Sequence, residues 1–72
     1  MGSDIRIAFA KRLRRLRLKK HLTQEQLAEK ADLSYRHVQR LESLKNPPPA
    51  KIDTLEKLAR ALEIKPSKLI NF

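Results

Sequence analysis

Cysteine is absent from this 72-residue chain, and glycine occurs once. Without cysteine, neither a disulfide nor a thiolate zinc site can staple the fold. A chain of this length supports only a modest core, so stability has to come from helix packing alone. The single glycine, Gly2, rules out the Gly-rich loops that cradle nucleotide phosphates. No apolar run approaches the length of a membrane span. The start, Met1-Gly2-Ser3-Asp4, lacks the basic-then-apolar layout of a secretory signal. The expected compartment is therefore cytoplasmic, with nucleoid association when nucleic acid is bound. Residues 1–3 read as an unstructured start or an added remnant, and 4–72 as one domain.

Acidic residues are also scarce. Seventeen Lys and Arg stand against eight Asp and Glu, a net charge of +9. Such a surplus suits a polyanionic partner, most simply nucleic acid. Eight of the cations, Arg6, Lys11, Arg12, Arg14, Arg15, Arg17, Lys19 and Lys20, precede His21 with no acid among them. A basic amphipathic helix also suits an anionic membrane. Here its apolar face is needed for the core, so a membrane partner is not expected.

The chain reads as helix throughout. In a first helix over about Asp4–Lys20, Ile5, Phe9, Leu13 and Leu16 share one face at 100° per residue. Ile7 and Leu18 lie opposite. A second helix starts with a double signal: Thr23 as N-cap and Gln26 three residues on, a capping box. Leu22 and Leu27 form the matching hydrophobic staple. Ser34, with Leu33 and Val38, repeats the logic for a third helix. Two starts this close leave room for one short helix and a turn around Asp32, which is the helix-turn-helix layout. The prolines of residues 45–51 forbid helix there. A fourth helix is predicted over Ile52–Leu62, with Ile52, Leu55, Leu58, Ala59 and Leu62 inward. Pro66 suits the first position of a short fifth helix ending near Ile70, with Leu69 and Ile70 closing the core.

Enzyme chemistry finds no footing. Neither His21 nor His37 has a partner at ligand spacing, and the acids are scattered. No catalytic, metal or cofactor site is expected. The third helix is where base reading can reside. With Val38 and Leu41 inward, Arg36, Gln39, Arg40 and Ser43 project outward, and Tyr35 flanks them. Arg can bind guanine O6 and N7 bidentately, and Gln can bind adenine N6 and N7.

The run Leu22-Thr23-Gln24-Glu25-Gln26-Leu27-Ala28-Glu29-Lys30-Ala31, then Leu33-Ser34 and Val38-Gln39-Arg40-Leu41-Glu42, resembles the Cro/phage-repressor, or XRE-like, helix-turn-helix family. Thr54-Leu55-Glu56-Lys57-Leu58-Ala59-Arg60-Ala61-Leu62 continues the resemblance. It implies an all-α, compact five-helix bundle of the lambda-repressor type. It also implies a transcriptional regulator of double-stranded DNA, with the third helix in the major groove. The resemblance puts base reading on Tyr35, Arg36 and Arg40, with Gln39 adjacent. It puts phosphate contact on Gln24, and backbone grip on Ser34, Ser43, Lys45 and Asn46. Arg17 is implied to pair with Glu42, and Arg12 and Arg17 are expected to reach phosphate from the first helix. A palindromic operator and a homodimer joined through the fourth and fifth helices are expected. Ile7, Leu18, Ile64 and Phe72 are candidate exposed apolar residues. Phage repressor, restriction-modification controller and antitoxin remain open as subclasses. A protein-interaction module with weak DNA binding is the alternative.

Three positions depart from the family pattern. His21, Asp32 and Leu44 stand where glycine is usual. Asp and His enter the left-handed region more readily than most residues. Leu does so badly, so the exit of the third helix is expected to differ. The following loop is about two residues longer than usual and stiffened by Pro47, Pro48 and Pro49.

Overall fold

A computed structural model of the chain describes residues 2–72, with side chains from residue 5 onward. Met1, and with it part of the reading of residues 1–3, lies outside the described residues. Five helices follow in order: α1 (Gly2–Lys19), α2 (Gln24–Ala31), α3 (Tyr35–Leu41), α4 (Ile52–Leu62) and α5 (Pro66–Leu69). α1 thus begins two residues before the expected Asp4.

The local signals act as their chemistry dictates. Thr23 Oγ1 accepts from Gln26 N–H at 3.0 Å, and Gln26 Oε1 accepts from Thr23 N–H at 2.9 Å. Both halves of the capping box are therefore closed. Ser34 Oγ accepts from His37 N–H at 3.0 Å and starts α3. Leu22 and Leu33, the staple residues before each cap, pack on the core. Three helices then stop on left-handed residues without any glycine: His21 (φ 58°), Asp32 (φ 56°) and Glu63 (φ 59°). In each case the next residue's N–H reaches back five positions: Leu22 to Arg17, Leu33 to Ala28 and Ile64 to Ala59. That bond satisfies a carbonyl the helix end would leave open.

α2 and α3 pack together as the helix-turn-helix, α4 supports α2, and α5 joins α4 to α1. Leu13, Leu27, Val38, Leu41, Leu58, Leu62 and Leu69 are fully buried where these helices meet. Every helix contributes to this one cluster, so α3 is held by the whole domain.

Three expected core residues lie outside it. Ile5 is 66% exposed, because it sits on the rim of an open groove with Pro48, Pro49, Ile70 and Phe72. Ile52 is 86% exposed. It lies about 90° from the centre of the α4 inner stripe, and Thr54 is buried in its place. Ile70 caps the end of α5 and is 49% exposed, leaving Leu69 alone to close the core. Ile7 and Ile64 are half-buried rather than open. Leu44 escapes the left-handed conformation altogether. α3 ends right-handed at Glu42 (φ −91°), and the positive φ moves to Asn46 (φ 55°).

Candidate nucleic-acid interface

The amphipathic split of α3 creates the candidate interface. Val38 and Leu41 are buried against Leu27, Ala28 and Ala31 of α2. Tyr35, Arg36, Gln39 and Arg40 are consequently exposed, Tyr35 by 47%. Two guanidinium forks, one amide and one phenol thus lie on a seven-residue helix anchored from behind. A major groove admits a helix, and these side chains match the donor and acceptor patterns of base edges there.

A buried ionic network ties this element to α1. Arg17 Nε and Nη2 donate to Glu42 Oε2 and Oε1 at 2.7 and 3.0 Å. Arg17 Nη1 donates to the Leu22 carbonyl at 2.7 Å. The two side chains are 9% and 2% exposed. Gln24 Nε2 adds a third donor to Glu42, at 3.1 Å on Oε1. One carboxylate therefore fixes three things: α1, the exit of α3, and the first side chain of α2.

The candidate phosphate contacts divide by what already holds them. Arg17 is expected in two roles; in this structure it is buried and its donors serve the structural one. Arg12 donates Nε and Nη2 to the Lys68 carbonyl at 3.2 and 2.9 Å. That bond draws it to α5, away from α2 and α3. The Ser43 hydroxyl accepts from Lys45 N–H at 3.1 Å and donates to Lys45 O at 3.2 Å, which commits it to the local turn. Ser34 accepts through its oxygen in the cap and keeps its own hydroxyl proton to donate. Gln24 retains its carbonyl and one N–H. Lys45 and Asn46 are exposed in the loop after α3.

A polar cleft of about 430 Å³ opens between α1, the start of α2 and the start of α3. Arg14, Arg17, Thr23, Gln24, Glu25 and Tyr35 line it. Arg14 was not among the candidate site residues, although it lies one helical turn before Arg17 and so on the same edge of α1. That spacing was the available signal. Among the described residues, no three His, Cys, Asp or Glu side chains gather into a metal-binding group. No described helix is long and apolar enough to cross a membrane.

A helix-turn-helix family model matches residues 13–69. The chain belongs to the XRE-like helix-turn-helix family of DNA-binding transcription regulators. Among solved structures, the chain is similar to the restriction-modification controller protein C.AhdI from Aeromonas hydrophila. The two share 36% identity at a TM-score of 0.82, over 89% of this chain and 94% of that one. No significant match was found among curated proteins. The match starts at residue 13, so the first two-thirds of α1, with Arg6 and Arg12, lie outside the family region.

Proposed function

We propose that this regulator binds a palindromic operator as a homodimer, each α3 reading one half-site in the major groove. The observation that carries the proposal is the two-faced α3: Val38 and Leu41 buried, Arg36, Gln39 and Arg40 exposed. In this reading Tyr35, Arg36, Gln39 and Arg40 contact bases. Gln24, Ser34, Lys45 and Asn46 position the domain on the backbone. Phosphate contacts fix register, while base contacts carry sequence preference. Two-fold symmetry would set the half-sites one helical turn apart, about 34–36 Å. The similarity to a restriction-modification controller favours that subclass over phage repressor or antitoxin.

The dimer is drawn from the α4 and α5 side. Ile64 is half-buried and Leu69 fully buried in the protomer's own core, so they offer little to a partner. Ile52 at the start of α4, and Ile70 and Phe72 at and after the end of α5, are exposed and would supply apolar contact area. Leu18 is also exposed, but it lies beside Leu44 and α1's basic residues.

The test is selection from a randomised duplex pool, followed by fluorescence anisotropy on the winning sequence. A two-fold symmetric consensus is expected. Arg40→Ala should cost about 1–3 kcal/mol on that sequence and relax preference at one base position. Uniform weak binding that vanishes with added salt would refute operator reading and leave a protein-interaction module as the better account.

A further inference from the structure

The structure separates the cations of α1 by partner. Arg6 donates to Pro47 O at 3.5 Å, Arg12 to Lys68 O and Arg17 to Glu42, and Lys20 pairs with Glu63 at 3.4 Å. Lys11, Arg14, Arg15 and Lys19 make no hydrogen bond or ion pair among the described residues. Only one of these four, Arg14, lines the polar cleft that also holds Gln24 and Tyr35. The other cation of that cleft, Arg17, is spent on Glu42. The same Arg14 borders a second cleft with Lys11 and Arg15. Arg14 therefore joins the cleft at the start of α3 to the cluster of Lys11 and Arg15 along α1.

We infer that Arg14 is a phosphate contact, through which α1 grips the DNA backbone beside the half-site read by α3. The inference rests on the reading of α3 as the groove-facing element. A backbone strand passing Tyr35 and Gln24 meets Arg14 next. An exposed guanidinium without a protein partner has all its donors available to a phosphate oxygen. The Glu25 carboxylate shares the cleft. It repels a phosphate there, so Arg14 also serves to offset that charge. Neither Arg12 nor Arg17 can replace it, because both would have to break bonds within the protein first. The contact carries no base information, so it should change affinity and salt dependence while leaving the consensus intact.

The test compares the full chain with Arg14→Ala, Arg14→Lys and Lys65→Ala by anisotropy, over a range of salt. Lys65→Ala removes the same charge from the exposed N-cap of α5, outside the cleft. One neutralised phosphate contributes about 0.9 to the slope of log affinity on log salt. Arg14→Ala should flatten the slope by about that amount and weaken binding about eightfold at 0.1 M salt. The selected and a scrambled duplex should weaken equally. Arg14→Lys should restore most of the slope, and Lys65→Ala should leave it unchanged. An Arg14→Ala slope equal to that of Lys65→Ala overturns the inference, as does an altered consensus, which would make Arg14 a base reader. A wild type that selects no consensus while Arg14→Ala still flattens the slope sinks operator reading and leaves the Arg14 contact standing.

Discussion

Removing the Glu42 carboxylate should be among the most damaging single changes available in this domain. Glu42 accepts three hydrogen bonds, two from Arg17 and one from Gln24, with its side chain 2% exposed. Glu42→Ala would strand the Arg17 guanidinium in a site 9% exposed, keeping only the Leu22 carbonyl as partner. Breaking a buried pair by deleting one member costs about 3–5 kcal/mol. A 72-residue domain has about 4–11 kcal/mol in total, so the variant sits near the edge of folding. At about 4–8 °C per kcal/mol, the melting temperature should fall by at least about 12 °C. The paired replacement Arg17→Met with Glu42→Leu tests the cause. It removes both charges and keeps apolar volume, so it should recover most of the loss, since the pair's attraction is largely offset by its own desolvation. Urea melts followed by circular dichroism on Arg17→Met, Glu42→Leu and their double would give the coupling directly. A Glu42→Ala loss below about 0.5 kcal/mol would refute the reasoning, because only a solvent-screened pair is worth so little. A double variant as unstable as the single would show that the network's hydrogen-bond geometry, rather than uncompensated charge, holds α1 to α3.

Two further predictions follow from exposure and backbone conformation. Ile52 is 86% exposed on α4, so Ile52→Lys should leave protomer stability within about 0.5 kcal/mol. It should lower self-association in sedimentation, and an unchanged dimer constant would move the interface elsewhere. Glu63 holds φ 59°, a conformation costing a residue with a Cβ roughly 1–2 kcal/mol. Glu63→Gly should relieve that, less about 0.4–1 kcal/mol of added unfolded-state entropy and the small worth of the exposed Lys20 pair. The net is a gain of about 0.5 kcal/mol in urea unfolding; a loss of that size would mean the bond to Lys20 or the cap geometry matters more than backbone strain.

Features set by a few adjacent residues are legible in the sequence. Thr23 with Gln26, Ser34 with its staple, and the prolines at 47–49 each determine a start or a break through contacts within one turn of chain. The left-handed ends at His21 and Asp32 were visible as residues standing where glycine is usual. Glu63 gave no such signal, since its ending is forced by Ile64 folding back to Ala59 and by Pro66 beyond. Helical periodicity placed Ile5 and Ile52 at an angle on their helices, but an angle does not say whether another element covers it. Ile5 faces an open groove, and at the first turn of α4 it is Thr54 that turns inward.

The same limit governs the charge. The net +9 points to a polyanion, but composition counts a cation whether or not the fold has already used it. Arg12 finds its acceptor 56 residues away on α5, and Arg17 finds Glu42 25 residues away. Such separations leave no trace in local spacing. Phosphate contact was expected of Arg12 and Arg17 because each lies on a basic helix, whereas the pairing of Arg17 with Glu42 came only from the family resemblance. Both donate within the protein, while Arg14, one turn before Arg17, faces the cleft beside α3. For a basic domain this small, the set of cations with donors free for a phosphate is therefore what remains after internal acceptors are filled, although a hydrogen bond to a neutral carbonyl, as at Arg12, leaves the charge itself in place. The position of that set on α1 is decided by where Glu42 and the Lys68 carbonyl sit, not by the density of Lys and Arg along the helix.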